Sequence, residues 1–264
     1  VLGIMMGATA TGMLIFMPLA ATISEIWGWR VAMAIPAAGC ILSLVLFYLF
    51  AHDRPEDIHL PRFGEQEVAP VPAPYTENFV ALSFKALALG VKSWVFWVLA
   101  VTFAICGISS YGITQAHIVP FCGDIGVTFA AAAWLLAVIG VSDLIGTMGS
   151  GWLSDRYDNR WLLFFYYGLR GLGLIWLVSS DPSYVMLTIF AVVYGLDFIA
   201  TVPPTVKLTV NEFGREMGPA VFGWIFAAHH VAAGLMAYGA GVSRDMMGSY
   251  VPSFMLAGIA CLVA

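Results

Sequence analysis

The sequence predicts an all-α polytopic membrane protein, and three observations carry that prediction. First, 61% of the 264 residues are hydrophobic, only 10% are charged, and the mean hydropathy is +0.89. A soluble domain carries about 25% charge, and no single soluble core could hide this much apolar surface. Second, the apolar residues form continuous runs of about 20, the length that crosses a hydrocarbon core of about 30 Å as a helix. Barrel strands would alternate in short segments instead. Third, short polar islands separate the runs. The clearest is Gly151-Trp152-Leu153-Ser154-Asp155-Arg156-Tyr157-Asp158-Asn159-Arg160, between apolar runs 130–150 and 161–179.

Taken in order, eight spans are expected, at roughly 1–22, 31–51, 93–121, 129–150, 161–179, 184–205, 219–242 and 250–264. The chain opens inside an apolar run and stops part-way into another, so it reads as an internal piece of a longer protein. Segment 52–92 is a long polar linker. It holds His52-Asp53-Arg54-Pro55-Glu56-Asp57 and then Pro61, Pro70, Pro72 and Pro74. Proline fixes φ and removes hydrogen-bond donors, which suits a linker. A short amphipathic helix is expected near 79–90. The organisation is thus two spans (1–51), a linker (52–92) and six spans (93–264). Two further six-helix counts follow: six after a central linker suggest four more helices before residue 1, and paired six-helix halves are how many secondary transporters are built.

Basic residues set the orientation. Arg54, Arg62, Lys85, Lys92, Arg156, Arg160, Lys207 and Arg215 lie in linker-side loops, against Arg30 and Arg244 on the other side. The linker is therefore expected in the cytoplasm, with the protein in the plasma (inner) membrane. Trp27, Trp29 and Tyr250 on one side, and Trp94, Trp97, Trp152 and Trp161 on the other, sit where interfacial aromatics prefer to be. The net charge of −5 is spread over loops and implies no nucleic-acid partner. Cys40, Cys106, Cys122 and Cys261 show no disulfide or metal-ligand spacing.

Ionisable groups inside the spans are few, and each is costly if unpaired in hydrocarbon. Asp143, Arg170, Asp197 and His229 all fall roughly 12–15 Å from the linker-side ends of their spans at 1.5 Å per residue. They form one layer near the midplane, where transporter sites usually lie. Arg170 pairs with Asp197 or Asp143 to hold helices together, and a carboxylate left over is free to carry a proton. Of His229 and His230, about 100° apart on a helix, one faces an aqueous cavity or both bond other helices. Ser110, Thr114 and His117 stack at i, i+4 and i+7, flanked by Tyr111 and Gln115. This polar arc lines a cavity or packs against protein. Tyr194, Asp197 and Thr201 share a face with the same two readings. Pro203-Pro204 weakens the linker-side end of its span, either as a gating bend or as the helix end. Close-set glycines such as Gly140, Gly146 and Gly149 allow helices to approach. No phosphate-binding glycine loop, Ser/His/Asp set, CxxC or HExxH is present. Neither an ATPase nor a membrane protease is supported, and no enzyme activity, cofactor or metal is implied.

The decapeptide carries a family resemblance. Gly151-x-Leu153-Ser154-Asp155-Arg156 followed by Arg160 resembles the G-x-L-A/S-D-R-x-G-R-K/R loop signature of the major facilitator superfamily. That implies the major facilitator fold, with the visible spans as helices five to twelve of twelve. Gly28-Trp29-Arg30, Arg54-Pro55-Glu56-Asp57 and Phe222-Gly223-Trp224-Ile225-Phe226-Ala227-Ala228-His229 resemble bacterial monocarboxylate and oxalate/formate porters. Asp158 and Asn159 depart from the signature. Asp143 matches a porter Asp, but Thr147 stands where an Arg follows one turn later, so the anion-holding cation is missing; Arg170 or a protonated His229 could replace it. The resemblance implies secondary active transport of a small solute, such as a monocarboxylate, by alternating access with proton coupling, in a monomer embedded in the bilayer. Tyr111, Gln115, Asp143, Asp197, Thr201 and His229 are the expected cavity residues, with Asp143 the proton carrier. Gly151, Asp155, Arg156 and Arg160 form the gating loop. By pseudo-symmetry, Asp155 is expected to meet the start of the first visible span, where a helix dipole favours negative charge. A drug or metabolite exporter is the alternative within transport, and a non-transporting sensor or scaffold the alternative outside it.

Overall fold

The computed structural model describes residues 2–52, 55–61, 67, 78–181 and 183–264. Asp53, Arg54, Arg62, Pro70, Pro72 and Pro74, which the linker and orientation readings used, lie outside the described residues. So do the side chains of 1–11, 13, 14 and 17.

The described chain is helical. The helices are α1 (Leu2–Trp27), α2 (Trp29–Phe50), α3 (Phe79–Gly90), α4 (Trp94–Gly107), α5 (Ala116–Asp124), α6 (Phe129–Ser154), α7 (Asn159–Ser179), α8 (Tyr184–Asp197), α9 (Val202–Met247) and α10 (Val251–Val263). A π-helix, Ile108–Gln115, joins α4 to α5 in one continuous rod. Helix α9 is not straight. Gly214, at φ 77° and ψ 167°, breaks it, and Gly218 comes back against Val210. Segments 202–213 and 215–247 are therefore antiparallel arms, and 202–213 continues the rod that α8 begins. The rods are then α1, α2, α4–α5, α6, α7, α8 with 202–213, 215–247, and α10. By length and composition, 5 helical runs among the described residues could cross a membrane. Their outer faces are apolar: Trp134, Ile145, Phe164, Leu172, Val185, Val231 and Leu235 are all exposed.

Side-chain caps fix where rods begin. Ser93 accepts from Val95 N, Thr128 from Ala131 N, Asp158 from Arg160 N, and Ser183 from Met186 N. Each cap satisfies a backbone N–H that has no helical partner. Asp158, a departure from the loop signature, is thus the residue that starts α7. Helix α1 packs along α6, α4 along α9, α6 along α8, and α7 along α10. Linker helix α3 rests on α9, where Trp224 Nε1 donates to Ser83 O at 2.8 Å.

Two expectations need correction. The span at 184–205 is not one helix ending at Pro203-Pro204. Regular helix stops at Asp197, residues 198–201 are a turn, and the prolines occupy the first turn of the next segment. A proline there loses no hydrogen bond, since the N–H it lacks would have had no helical partner. The polar arc at 110–117 takes its packing reading, but its period needs correction, because a π-helix closes bonds five residues apart and shifts side chains relative to a 3.6-residue period. Ser109, Ser110 and Thr114 turn inward and are buried. Thr114 Oγ1 donates to Ser109 O, and Tyr194 Oη donates to the same carbonyl at 2.6 Å. His117 bonds Ala237 O through Nε2 at 2.8 Å, tying α5 to α9.

Candidate functional site

The break between α8 and α9 is the centre of the buried polar layer. Interrupting a helix frees carbonyls and amides that membrane interior cannot satisfy with water. Here side chains from three neighbouring helices satisfy them. From α7, Arg170 donates through Nε to Asp197 Oδ2 at 2.6 Å, and through Nη2 to the carbonyls of Asp197 (2.5 Å) and Phe198 (3.1 Å). Its Nη1 reaches Cys106 Sγ at 2.9 Å and Ser109 Oγ at 3.4 Å. From α6, Ser150 donates to Ala200 O, and Asp143 Oδ1 accepts from Ile199 N at 2.9 Å. Thr147, one turn along α6, donates to the same Asp143 oxygen at 2.8 Å. Thr205 closes the far side by donating to Thr201 O.

This arrangement assigns the ionisable residues. A guanidinium has five N–H donors, and Arg170 places all of its nitrogens on protein acceptors while 1% exposed. No donor remains for a solute. The Arg170–Asp197 ion pair is buried on both sides. Asp143 is fully buried too; among the described residues its Oδ2 has no hydrogen-bond partner, as Asp197 Oδ1 has none, but only Asp197 is in the ion pair with Arg170. Thr147, at the position where an Arg would follow, bonds Asp143 instead of presenting a charge.

Close backbone contact holds these helices at the needed spacing. A side chain at Gly146 would run into the carbonyl of Leu196, and one at Gly107 into the carbonyl of His229. So α6 meets α8, and α4 meets α9, backbone to backbone at the depth of the layer.

Several expected cavity residues are therefore elsewhere. Asp197 and Thr201 are buried between helices, because the break turns them toward α4 and α7; Thr201 Oγ1 lies 3.3 Å from Cys106 Sγ. His229 is 3% exposed, since its Nδ1 bonds Phe103 O at 3.0 Å and its ring lies against Phe103. Tyr111 stays on the open face, and Gln115 is half-buried one turn beyond it, its Oε1 without a partner. His230, the neighbour of His229, is exposed. Phe226 and His230, four apart on α9, put their rings 4.6 Å from each other. Tyr111 approaches both His230 (6.0 Å) and Phe198 (5.7 Å). Cys106, Ser150 and Phe226 were not singled out from sequence as site residues. The i, i+4 spacing of Phe226 and His230 was the available signal for that pair.

The charged loop lies at the linker-side end of α6. Asp155 accepts from Lys207 Nζ at 3.1 Å, and Lys207 also donates to Ser154 O at 2.7 Å. Among the described residues its partner is thus the arm 202–213. Arg156 lies over the Trp152 ring at 4.1 Å, and Arg160 is exposed in the first turn of α7. Gly151 is half-buried in the last turn of α6.

The family model described as Major Facilitator Superfamily matches residues 1–237. The chain belongs to that superfamily. Its long apolar helices are part of that superfamily's multi-pass membrane fold. Among named relatives, monocarboxylate transporter 12 of Homo sapiens is 25% identical over 98% of this chain and 53% of its own length. Monocarboxylate transporter 13 of Rattus norvegicus is 31% identical over 57% of this chain and 35% of its own. An uncharacterized MFS-type transporter of Bacillus subtilis, YcxA, is 29% identical over 55% of this chain and 36% of its own. The chain spans about half the length of the curated relatives it matches along its whole length.

Proposed function

We propose that this superfamily member is a secondary active transporter that moves a small organic anion, a monocarboxylate, by alternating access coupled to protons. The linker faces the cytoplasm, the protein acts as a monomer in the plasma (inner) membrane, and Asp143 carries the proton. The names of the relatives support the substrate class. One structural observation supports the coupling: Asp143 caps the α8 break through Ile199 N while its other oxygen, Oδ2, is buried without a partner.

The mechanism follows from that geometry. A charged carboxylate accepts strongly from Ile199 N–H and Thr147 O–H, which stabilises the bent form of the α8 rod. A proton added at Oδ2 neutralises the group and weakens both bonds. The break then gains freedom to straighten, and with it the arm 202–213 that carries Lys207 to the Asp155 loop. Proton occupancy at the midplane is thereby read out at the linker-side gate. Arg170 keeps the remaining carbonyls of the break satisfied in either state.

Asp143→Asn tests this directly. Asparagine keeps an oxygen to accept from Ile199 N, so the variant folds. In proteoliposomes containing the complete transporter, proton-driven lactate accumulation is expected to fall at least about tenfold, the scale of losing one hydrogen bond to a charged group. Lactate exchange without a gradient persists. Proton-driven accumulation at the unmodified rate removes Asp143 from the coupling role.

A further inference from the structure

Five ionisable residues occupy the midplane layer: Asp143, Arg170, Asp197, His229 and His230. Among them His230 alone is exposed. Arg170 has its donors on protein acceptors, and His229 is turned into the α4–α9 contact. The anion-holding cation missing at Thr147 is therefore not supplied by either residue first considered as its replacement.

The surroundings of His230 have a definite chemistry. Its ring is flanked by Phe226 at 4.6 Å and Tyr111 at 6.0 Å, with His229 behind it at 5.1 Å. Phe198, at the break itself, lies beneath Tyr111 at 5.7 Å. Tyr111 and Phe226 are 39% and 40% exposed, while Phe198 is buried. The result is an aromatic cluster built by three elements: the π-helix, the α8 break and α9. It presents one imidazole and one phenol beside apolar rings. The titratable groups that face His230 are His229 from its own helix and Tyr111 from the π-helix. Asp143 and Asp197 lie deeper, one latched to Ile199 and the other to Arg170. Aromatic rings favour offset or edge contacts with other planar groups, worth about 0.5–1.5 kcal/mol beyond area alone.

We infer that Tyr111, Phe226 and His230 form the solute-contacting wall of this half, with His230 holding the carboxylate of a small monocarboxylate whose body is planar and unsaturated or aromatic. The inference rests on the transport reading above and narrows its substrate. Imidazolium and the Tyr111 hydroxyl supply donors to the carboxylate, and Phe226 covers the face of the planar body. Binding through His230 weakens as pH rises and the ring loses its charge. The α8 break contributes Phe198 to the cluster, so a solute held there bears on the same hinge that Asp143 latches.

The test uses the complete transporter in proteoliposomes, with benzoate and lactate as the two probes. Benzoate is expected to have the lower KM, and that KM to rise as the pH is raised. His230→Gln, at an exposed position, is expected to raise the benzoate KM at least about tenfold, leave the maximal rate within about threefold, and flatten the pH profile. Phe226→Leu raises the KM for benzoate more than for lactate. A KM and pH profile unchanged by His230→Gln, while flux persists, overturns the assignment of His230. A lactate KM at or below that of benzoate overturns the planar-body assignment. Flux of neither probe removes the transport reading, and this inference with it.

Discussion

Arg170 does its work as a staple for broken backbone. Its side chain sits in the middle of the membrane layer, yet its partners are a carboxylate, two main-chain carbonyls, a thiol and a hydroxyl. Replacing it with alanine strands all of them. Breaking a buried pair from one side typically costs about 3–5 kcal/mol, and Arg170→Ala is expected to lie in that range in a reversible unfolding titration. Removing Asp197 as well relieves the uncompensated carboxylate but not the carbonyls of Asp197 and Phe198. The double variant Arg170→Ala/Asp197→Ala is therefore expected to recover part of the loss, not all of it. A single variant costing under about 1 kcal/mol, as an exposed pair would, contradicts the staple. The sequence made this layer visible, because one Arg and two Asp residues at equal depth in apolar helices need each other. It could not say which carboxylate Arg170 takes. That depends on helix rotation, and helix rotation here is set by Gly146 and Gly107 pressing on neighbouring backbone.

At the scale of elements, the departures from regular α-helix carry the site. The π-helix at 108–115 rotates Ser109, Ser110 and Thr114 inward and leaves Tyr111 outward. The break at 198–201 places Phe198 under Tyr111 and gives Asp143 a backbone amide to hold. Span positions were readable from hydropathy alone, since about 20 apolar residues define a crossing whatever its internal geometry. Neither irregularity was readable that way: both lie inside apolar runs, and both are stabilised by residues on other helices. Pro203-Pro204 marked the neighbourhood of the break but not its position, because proline is at home in a helix's first turn. The α6–α8 contact gives an element-scale prediction. Gly146→Val drives a side chain into the Leu196 carbonyl, and overpacking of this kind costs about 1–3 kcal/mol. The variant is expected to melt earlier than the unmodified protein and to lose flux, because the Asp143–Ile199 latch spans the same contact. Unchanged melting contradicts the backbone-to-backbone packing.

For the whole molecule, the proposed activity is movement of a small organic anion across a membrane. The charged loop and the midplane layer belong to one mechanical unit. The rod that begins as α8 and continues through 202–213 carries Asp197 and the break in its middle and Lys207 two turns further on, where it grips Ser154 and Asp155. The decapeptide pointed to the superfamily from sequence, because it resembles the superfamily's loop signature and stands between two long apolar runs. Its partner was not legible, since Lys207 is 52 residues from Asp155 in the chain and reaches it only after the Gly214 turn fixes the arm. The most direct test is solute flux. The complete protein, reconstituted into proteoliposomes with an alkaline interior, is presented with radiolabelled lactate, formate, oxalate and benzoate. Accumulation of at least one monocarboxylate above empty liposomes, abolished by a protonophore, is the expected result; no flux of any of the four above empty liposomes contradicts the transport of organic anions.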